Sequence, residues 1–162
     1  NAKTPSKRFP VTGIAGKAGF TVVNLSCARM DKTKTGYAVM QVLKKYGVGL
    51  ENLPCSIDTM SCVVSADQVK SKLADILSDL KKECGLDIGG INVISGISLI
   101  ATVGTNMRST PGVSGRQFDA LGRAKINVHL ISQGSSETNI TIGVKDEDRE
   151  RAIRTIYREF FI

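Results

Sequence analysis

One apolar pattern occurs twice in this 162-residue chain, and it constrains the fold more than any other feature of the sequence. Six apolar positions recur as apolar residues 78 positions later. They are Leu43, Val48, Leu50, Leu53, Cys62 and Val64, followed by Leu121, Ile126, Val128, Ile131, Ile140 and Ile142. A repeat of this kind predicts two copies of one structural unit.

Strand and helix patterns follow the same order in both copies. The first copy predicts strands at 20–27, 48–53, 60–65 and 88–94, with helices whose apolar faces run from Val39 to Tyr46 and from Val69 to Leu80. The second predicts strands at 97–103, 126–132 and 139–145, and helices at 112–125 and from Ile153 to Phe160. Ser65 and Gln68 form a potential capping box at the start of a helix.

The second copy ends before a fourth strand of its own. The segment PVTGI at 10–14 is extended in character and could supply that strand, which would insert the first unit within the second. We therefore expect units at 15–95 and 96–162, the latter completed by 10–14. Two βαββαβ units imply an α+β protein with ferredoxin-like, antiparallel sheets that carry helices on one face.

Composition excludes several functional classes. Aromatic residues make up 5% of the chain and Trp is absent. Phe20 is the only aromatic residue in the strands that would stack RNA bases, so the net charge of +7 does not predict a nucleic-acid binder. The four cysteines form no C-x-x-C pair, which argues against zinc and favours reduced thiols in the cytoplasm. The uncharged run at 88–107 contains many Gly, Ser and Thr residues, and predicts two strands better than a membrane span.

No catalytic constellation is visible in the sequence. The single histidine, His129, lies in a predicted strand without a nucleophile to activate. Neither a G-x-x-x-x-G-K-[ST] loop nor a G-x-G-x-x-G loop after a strand is present. We therefore predict no catalytic residue, no metal and no cofactor within this chain.

The loops after the first strand of each copy are the best candidates for a binding site. They end in Thr35-Gly36-Tyr37 and in Pro111-Gly112-Val113, each directly before a predicted helix. Glycine lets a ligand approach the backbone, and free amides at a helix start can hold a carboxylate such as that of an amino acid. Glu51, near the next strand, could accept hydrogen bonds from an ammonium group. The glycines could instead serve only to begin the helices.

Three segments resemble the C-terminal regulatory region of aspartate kinases, which is a pair of ACT domains. They are YGVGLENLPCSIDTMSCVV (46–64), LIATVGTNMRSTPGVSGRQFDAL (99–121) and INVHLISQGSSETNITIGV (126–144). The resemblance extends from Val11 to Phe161, and ISQGSSE at 131–137 is its most specific part.

The resemblance implies an allosteric region that binds an end product of aspartate-derived biosynthesis, with lysine favoured by Glu51 and threonine next. Aspartate kinases phosphorylate aspartate with ATP. Their K-[FY]-G-G-[ST]-S type motif does not occur here. ATP and magnesium would then belong to a separate catalytic domain, and this chain alone would not be an enzyme. A cytoplasmic homodimer joined through its ACT units is expected, without a nucleic-acid or membrane partner.

Effector contacts carried over from the family fall on two segments of the first unit and one corner of the second. They are Met30, Lys34, Gly36, Tyr37, Ala38, Gly49, Leu50 and Glu51, with Asn127 and Val128 at the equivalent corner. Seven positions separate Gly36 from Leu43, whereas nine separate Gly112 from Leu121, so the two helix starts are offset. A free-standing ACT protein that regulates another enzyme, or a purely structural dimerisation region, remains as an alternative.

Overall fold

The computed structural model describes residues 9–85 and 90–162 and divides the chain into two units. One unit is Gly19–Ile97, here called the inserted unit; the other, the outer unit, joins 98–162 to the chain up to Ala18. The described strands are β1 (Gly13–Ser26), β2 (Leu50–Asn52), β3 (Thr59–Ser65), β4 (Gly90–Val103), β5 (Leu130–Gln133) and β6 (Asn139–Lys145). The described helices are α1 (Lys32–Lys45), α2 (Ala66–Val69), α3 (Leu73–Glu83), α4 (Val113–Arg123) and α5 (Arg149–Phe161).

Each unit has the strand order of a ferredoxin-like sheet. Hydrogen-bonded neighbours run β2-β3-β1-β4 in the inserted unit and β1-β4-β6-β5 in the outer unit. The pairs β1 with β3, β2 with β3, and β5 with β6 are antiparallel. In the outer unit the backbone amide of Thr12 donates to the carbonyl of Val103 over 2.8 Å, so the segment before β1 lies beside the end of β4. The α+β fold expected from the repeat is confirmed.

Aliphatic side chains form a separate core in each unit. The inserted unit buries Val39, Val42 and Leu43 of α1 together with Ile76 and Leu80 of α3. The outer unit has an equivalent core, which includes Val11, Ile100, Leu121, Ile142, Ile156 and Phe160. The helical and strand periodicities that predicted these faces place the apolar residues toward their sheets.

Three local expectations differ from the structure. The strands expected at 88–94 and 97–103 are one continuous strand, β4, and residues 88 and 89 lie outside the described residues. Helix α1 begins at Lys32, so Gly36 lies inside the helix rather than before it. The side chain of Ser65 makes no capping hydrogen bond; Gln68 instead accepts a hydrogen bond from the backbone amide of Gly49 over 2.9 Å.

None of the helices in ranges 9–85 and 90–162 is both long and apolar enough to cross a membrane.

Candidate functional site

A cleft of about 400 Å³ follows β1 in the inserted unit; we call it the Met30 cleft. Its walls come from the loop before α1 and from the residues that end α3. The lining residues are Cys27, Ala28, Arg29, Met30, Asp31, Lys34, Thr35, Cys84 and Gly85. The cleft therefore lies at the strand-loop-helix corner where the sequence predicts ligand binding.

The carboxylate of Asp31 already occupies the start of α1. Its Oδ1 accepts a hydrogen bond from the backbone amide of Lys34 over 3.0 Å. Cationic side chains from Arg29 and Lys34 also line the cleft. Burial raises the pKa of the Cys84 thiol, with Glu83 adding to the rise and Lys34 opposing it. A ligand carboxylate would thus meet side-chain cations here rather than a free helix end.

The predicted contacts of the inserted unit lie in different environments. Met30 and Lys34 line the Met30 cleft, whereas Tyr37 is 68% exposed on α1 and Ala38 is buried in the core. Gly36 lies between Lys34 and Tyr37 in the sequence. A Cβ atom built on Gly36 would lie 3.8 Å from Cε of Met60.

The other predicted contacts of this unit lie at the edge strand β2. Leu50 packs partly against the core, and Glu51 is exposed on the same short strand. Gly49 precedes β2 and is held by Gln68. None of these three residues lines the Met30 cleft. Their role in binding stays a prediction.

A second cleft, of about 520 Å³, lies at the start of α4 in the outer unit; we call it the Gly112 cleft. Gly112 is the residue before α4, with φ of 85°, a left-handed conformation that suits glycine. The amides in the first turn of a helix have no partner within the helix. Among the described residues no side chain caps them at the start of α4. The lining residues are 107–115, Gln133 and Glu137.

Polar side chains from the end of β5 and from the β5–β6 turn line the Gly112 cleft together with the start of α4. The Ser114 hydroxyl donates to Oε1 of Gln133 over 3.1 Å, and Glu137 lines the same cleft. Glu137 has φ of 56°, an uncommon backbone conformation for a residue with a side chain. Neither Gln133 nor Glu137 is among the predicted site residues, although the segment ISQGSSE contains both.

The Gly112 cleft offers partners for both charged groups of a free amino acid, its carboxylate and its ammonium. Amides at a helix start, together with the positive end of the helix dipole, favour a carboxylate. The Glu137 carboxylate can accept hydrogen bonds from an ammonium group. Asn127 and Val128 lie before β5 and do not line this cleft; Asn127 Nδ2 is 3.4 Å from Nε2 of His129. Within 9–85 and 90–162, no three His, Cys, Asp or Glu side chains are grouped to hold a metal ion.

Comparisons with known proteins agree with this architecture. A family model described as "ACT domain" matches residues 100–160. Aspartokinase 3 of Bacillus subtilis is 32% identical over 162 residues, which cover 99% of this chain and 35% of that protein. The chloroplastic bifunctional aspartokinase/homoserine dehydrogenase 2 of Zea mays is 51% identical over 155 residues, covering 90% of this chain and 17% of that protein. The chain thus spans about a third or less of these relatives.

Solved structures show the same fold. The aspartate kinase of Clostridium acetobutylicum superimposes with a TM-score of 0.85 at 35% identity, covering 93% of this chain and 35% of that one. The ligand-free regulatory subunit of aspartate kinase from Thermus thermophilus superimposes with a TM-score of 0.76 at 24% identity, covering 94% of this chain and 99% of that one. Residues 100–160 therefore match the ACT-domain family, and the chain along its whole length is similar to the regulatory region of aspartate kinases.

Proposed function

We propose that this chain is the amino-acid-sensing region of an aspartate kinase and mediates feedback control by an end product of aspartate-derived biosynthesis. Aspartate, ATP and magnesium bind a catalytic part outside these 162 residues. The observation that carries the proposal is the Gly112 cleft, where the uncapped start of α4 and the Glu137 carboxylate offer complementary charges to a zwitterion.

The Met30 cleft supports the same function, since it occupies the corresponding corner of the inserted unit. Arg29 and Lys34 supply positive charge for a carboxylate, while Met30 supplies a flexible apolar wall. Lysine is the effector that we favour for the inserted unit, because the exposed carboxylate of Glu51 on β2 is available to a side-chain ammonium. The solved complex of Escherichia coli aspartokinase III with lysine and aspartate is consistent with that preference.

A homodimer gives the effector a way to act at a distance. Strands β2 and β5 are at the edges of their sheets, and Ile131 on β5 is 52% exposed. Pairing of ACT units between two chains would cover these edges. Effector binding at such an interface favours one arrangement of the subunits, and the catalytic part would respond to it with a coupling free energy of about 1 to 3 kcal/mol.

Calorimetric titration of the chain with lysine, threonine and methionine tests the proposal. Norleucine is a matched control for lysine, because it keeps the carboxylate and the α-ammonium but lacks the side-chain ammonium. We expect saturable binding of at least one end product and thermal stabilisation of about 2.7 kcal/mol at 100 times its Kd. If none of the three binds, the proposal is wrong, and a dimerisation role would account for the fold.

A further inference from the structure

Two buried polar side chains of the outer unit lack hydrogen-bond partners. Gln117 on α4 and Thr102 on β4 are both 0% exposed. Within the described part of the chain, neither amide atom of Gln117 nor the Thr102 hydroxyl has a partner. The buried Ser98 lies four residues before Thr102 on β4. Its hydroxyl donates a hydrogen bond to Oδ1 of Asp146 over 2.6 Å. Unsatisfied buried groups cost stability, so this pair requires an explanation.

Both groups lie in the buried interior of the outer unit, and Gln117 is one helical turn from a residue that lines the Gly112 cleft. Gln117 follows Val113 by one helical turn, and Val113 lines the cleft while it also belongs to the core. Long side chains on a helix point back toward its N-terminus, which directs the Gln117 amide toward Val113 and the cleft. Thr102 shares the inward face of β4 with Ile100, because alternate residues of a strand face the same side.

Met107 belongs both to the lining of the Gly112 cleft and to the buried core of the outer unit. Met107 lies in the short 3₁₀ turn Thr105–Ser109, and a methionine side chain changes rotamer at low cost. A short ligand side chain that displaces the Met107 side chain would reach the layer that contains Gln117 and Thr102.

We propose that Gln117 and Thr102 determine specificity in the Gly112 cleft by hydrogen-bonding a hydroxyl on the side chain of the bound amino acid. An amide and a hydroxyl together offer donors and acceptors, as a hydroxyl requires. The cleft therefore prefers threonine to valine, which has the same shape but no hydroxyl. This inference rests on the proposed function and adds the chemical class of the effector at this cleft.

Calorimetric titration with threonine and with valine tests this inference. The proteins compared are the unaltered chain and the variants Gln117→Met and Thr102→Val. Thr155→Val is the control, because it removes a hydroxyl from α5 of the same unit. We expect the unaltered chain to bind threonine at least about tenfold more tightly than valine, because a site with unpaired polar groups rejects an isostere that cannot pair them. Gln117→Met and Thr102→Val should bring the ratio close to one without weakening valine binding. Thr155→Val should leave the ratio of the two affinities as it is in the unaltered chain.

Thermal melting separates folding from recognition. Gln117→Met should raise the melting temperature, because it removes an unsatisfied buried amide. If Gln117→Met does not melt cooperatively, Thr102→Val decides the question. Equal affinities for threonine and valine in the unaltered chain, or an unchanged ratio in Thr102→Val, would overturn the inference. Binding of lysine or methionine alone would overturn it while the proposed function stands, whereas no binding of any amino acid would overturn both.

Discussion

A Cβ atom placed on Gly104 would lie 2.1 Å from the carbonyl oxygen of Pro10. The same atom would lie 2.9 Å from Cα of Val11, which is fully buried in the core of the outer unit. Both neighbours are backbone atoms, so rotation of a side chain cannot relieve the contact. The close approach fixes the segment before β1 against the residue that follows β4.

Gly104→Ala should therefore destabilise the outer unit by roughly 1 to 3 kcal/mol, as overpacking does in a tight core. Gly122→Ala is the matched control, because Gly122 lies in α4 with no atom within 4 Å of its Cβ position. Alanine there should stabilise the chain by roughly 0.5 to 1 kcal/mol through helix propensity. Denaturant unfolding measures both changes. Equal stabilities of the two variants would contradict the described packing of Pro10.

Stability should depend on the ionisation of Asp79. Its Oδ2 accepts hydrogen bonds from Lys45 over 2.7 Å and from the Tyr46 hydroxyl over 2.9 Å, joining α3 to the end of α1. These bonds hold the pKa of Asp79 below its ordinary 3.8. Because the folded state has the lower pKa, the contribution is present above the ordinary value and is lost as pH falls through the folded one.

Asp79→Asn should lower the melting temperature at neutral pH, and the difference from the unaltered chain should shrink as the pH falls through the folded-state pKa of Asp79, because the carboxyl then loses its charge. Asp119→Asn is the control, since Asp119 pairs with Arg123 on the exposed face of α4. Melting curves recorded across this range test the sign of the effect. A difference that grows on acidification would contradict the assignment.

The cysteines should differ widely in reactivity. Burial raises the pKa of the Cys62 thiol to about 12, and its side chain lies in the core of the inserted unit. Cys55 is exposed in the β2–β3 connection. Iodoacetamide at neutral pH should alkylate Cys55 at least roughly a hundredfold faster than Cys62, since the exposed thiolate is the nucleophile. Mass spectrometry of timed samples measures the ratio, and Cys55→Ser should remove the fast phase.

Lysine binding should depend on Glu51 if this exposed carboxylate holds the side-chain ammonium. Glu51→Gln keeps the size of the side chain but removes its charge, and should weaken lysine binding by at least about tenfold. Threonine binding should not change. Glu147→Gln, at an exposed acidic residue after β6, is the control. Titration calorimetry gives the affinities, and unchanged lysine affinity would remove Glu51 from the site.

Apolar periodicity predicted most of the architecture, because few arrangements can bury the apolar faces of both copies of a repeat of this length. Leu43 and Leu121 are buried at equivalent helix positions, as their shared spacing indicates. The start of α1 was less predictable, since Gly36 resembled a helix-starting glycine while Asp31 caps the helix one turn earlier. The continuous β4 was also missed, because Ser95 and Gly96 resemble a break but lie within a strand.

The candidate site was predictable only where a single segment contains it. The loop that ends in Gly112 was identified because glycine, proline and a helix pattern are consecutive in the sequence. Glu137 reaches the same cleft through the turn between β5 and β6, a long-range proximity that residue spacing does not encode. Gln117 gave no signal, because its position on α4 looks like any polar residue until its burial is known.

The discontinuous outer unit has a consequence for how the chain acquires its structure during synthesis. Gly19–Ile97 is a single stretch and can fold as soon as it leaves the ribosome, whereas the hydrogen bond between Thr12 and Val103 closes a loop that contains the whole inserted unit. The segment that completes the outer unit is therefore made early and must wait for β5, β6 and α5. During that interval the positions that are buried in the folded unit, such as Val11, remain uncovered, because the residues that pack against them have not yet left the ribosome.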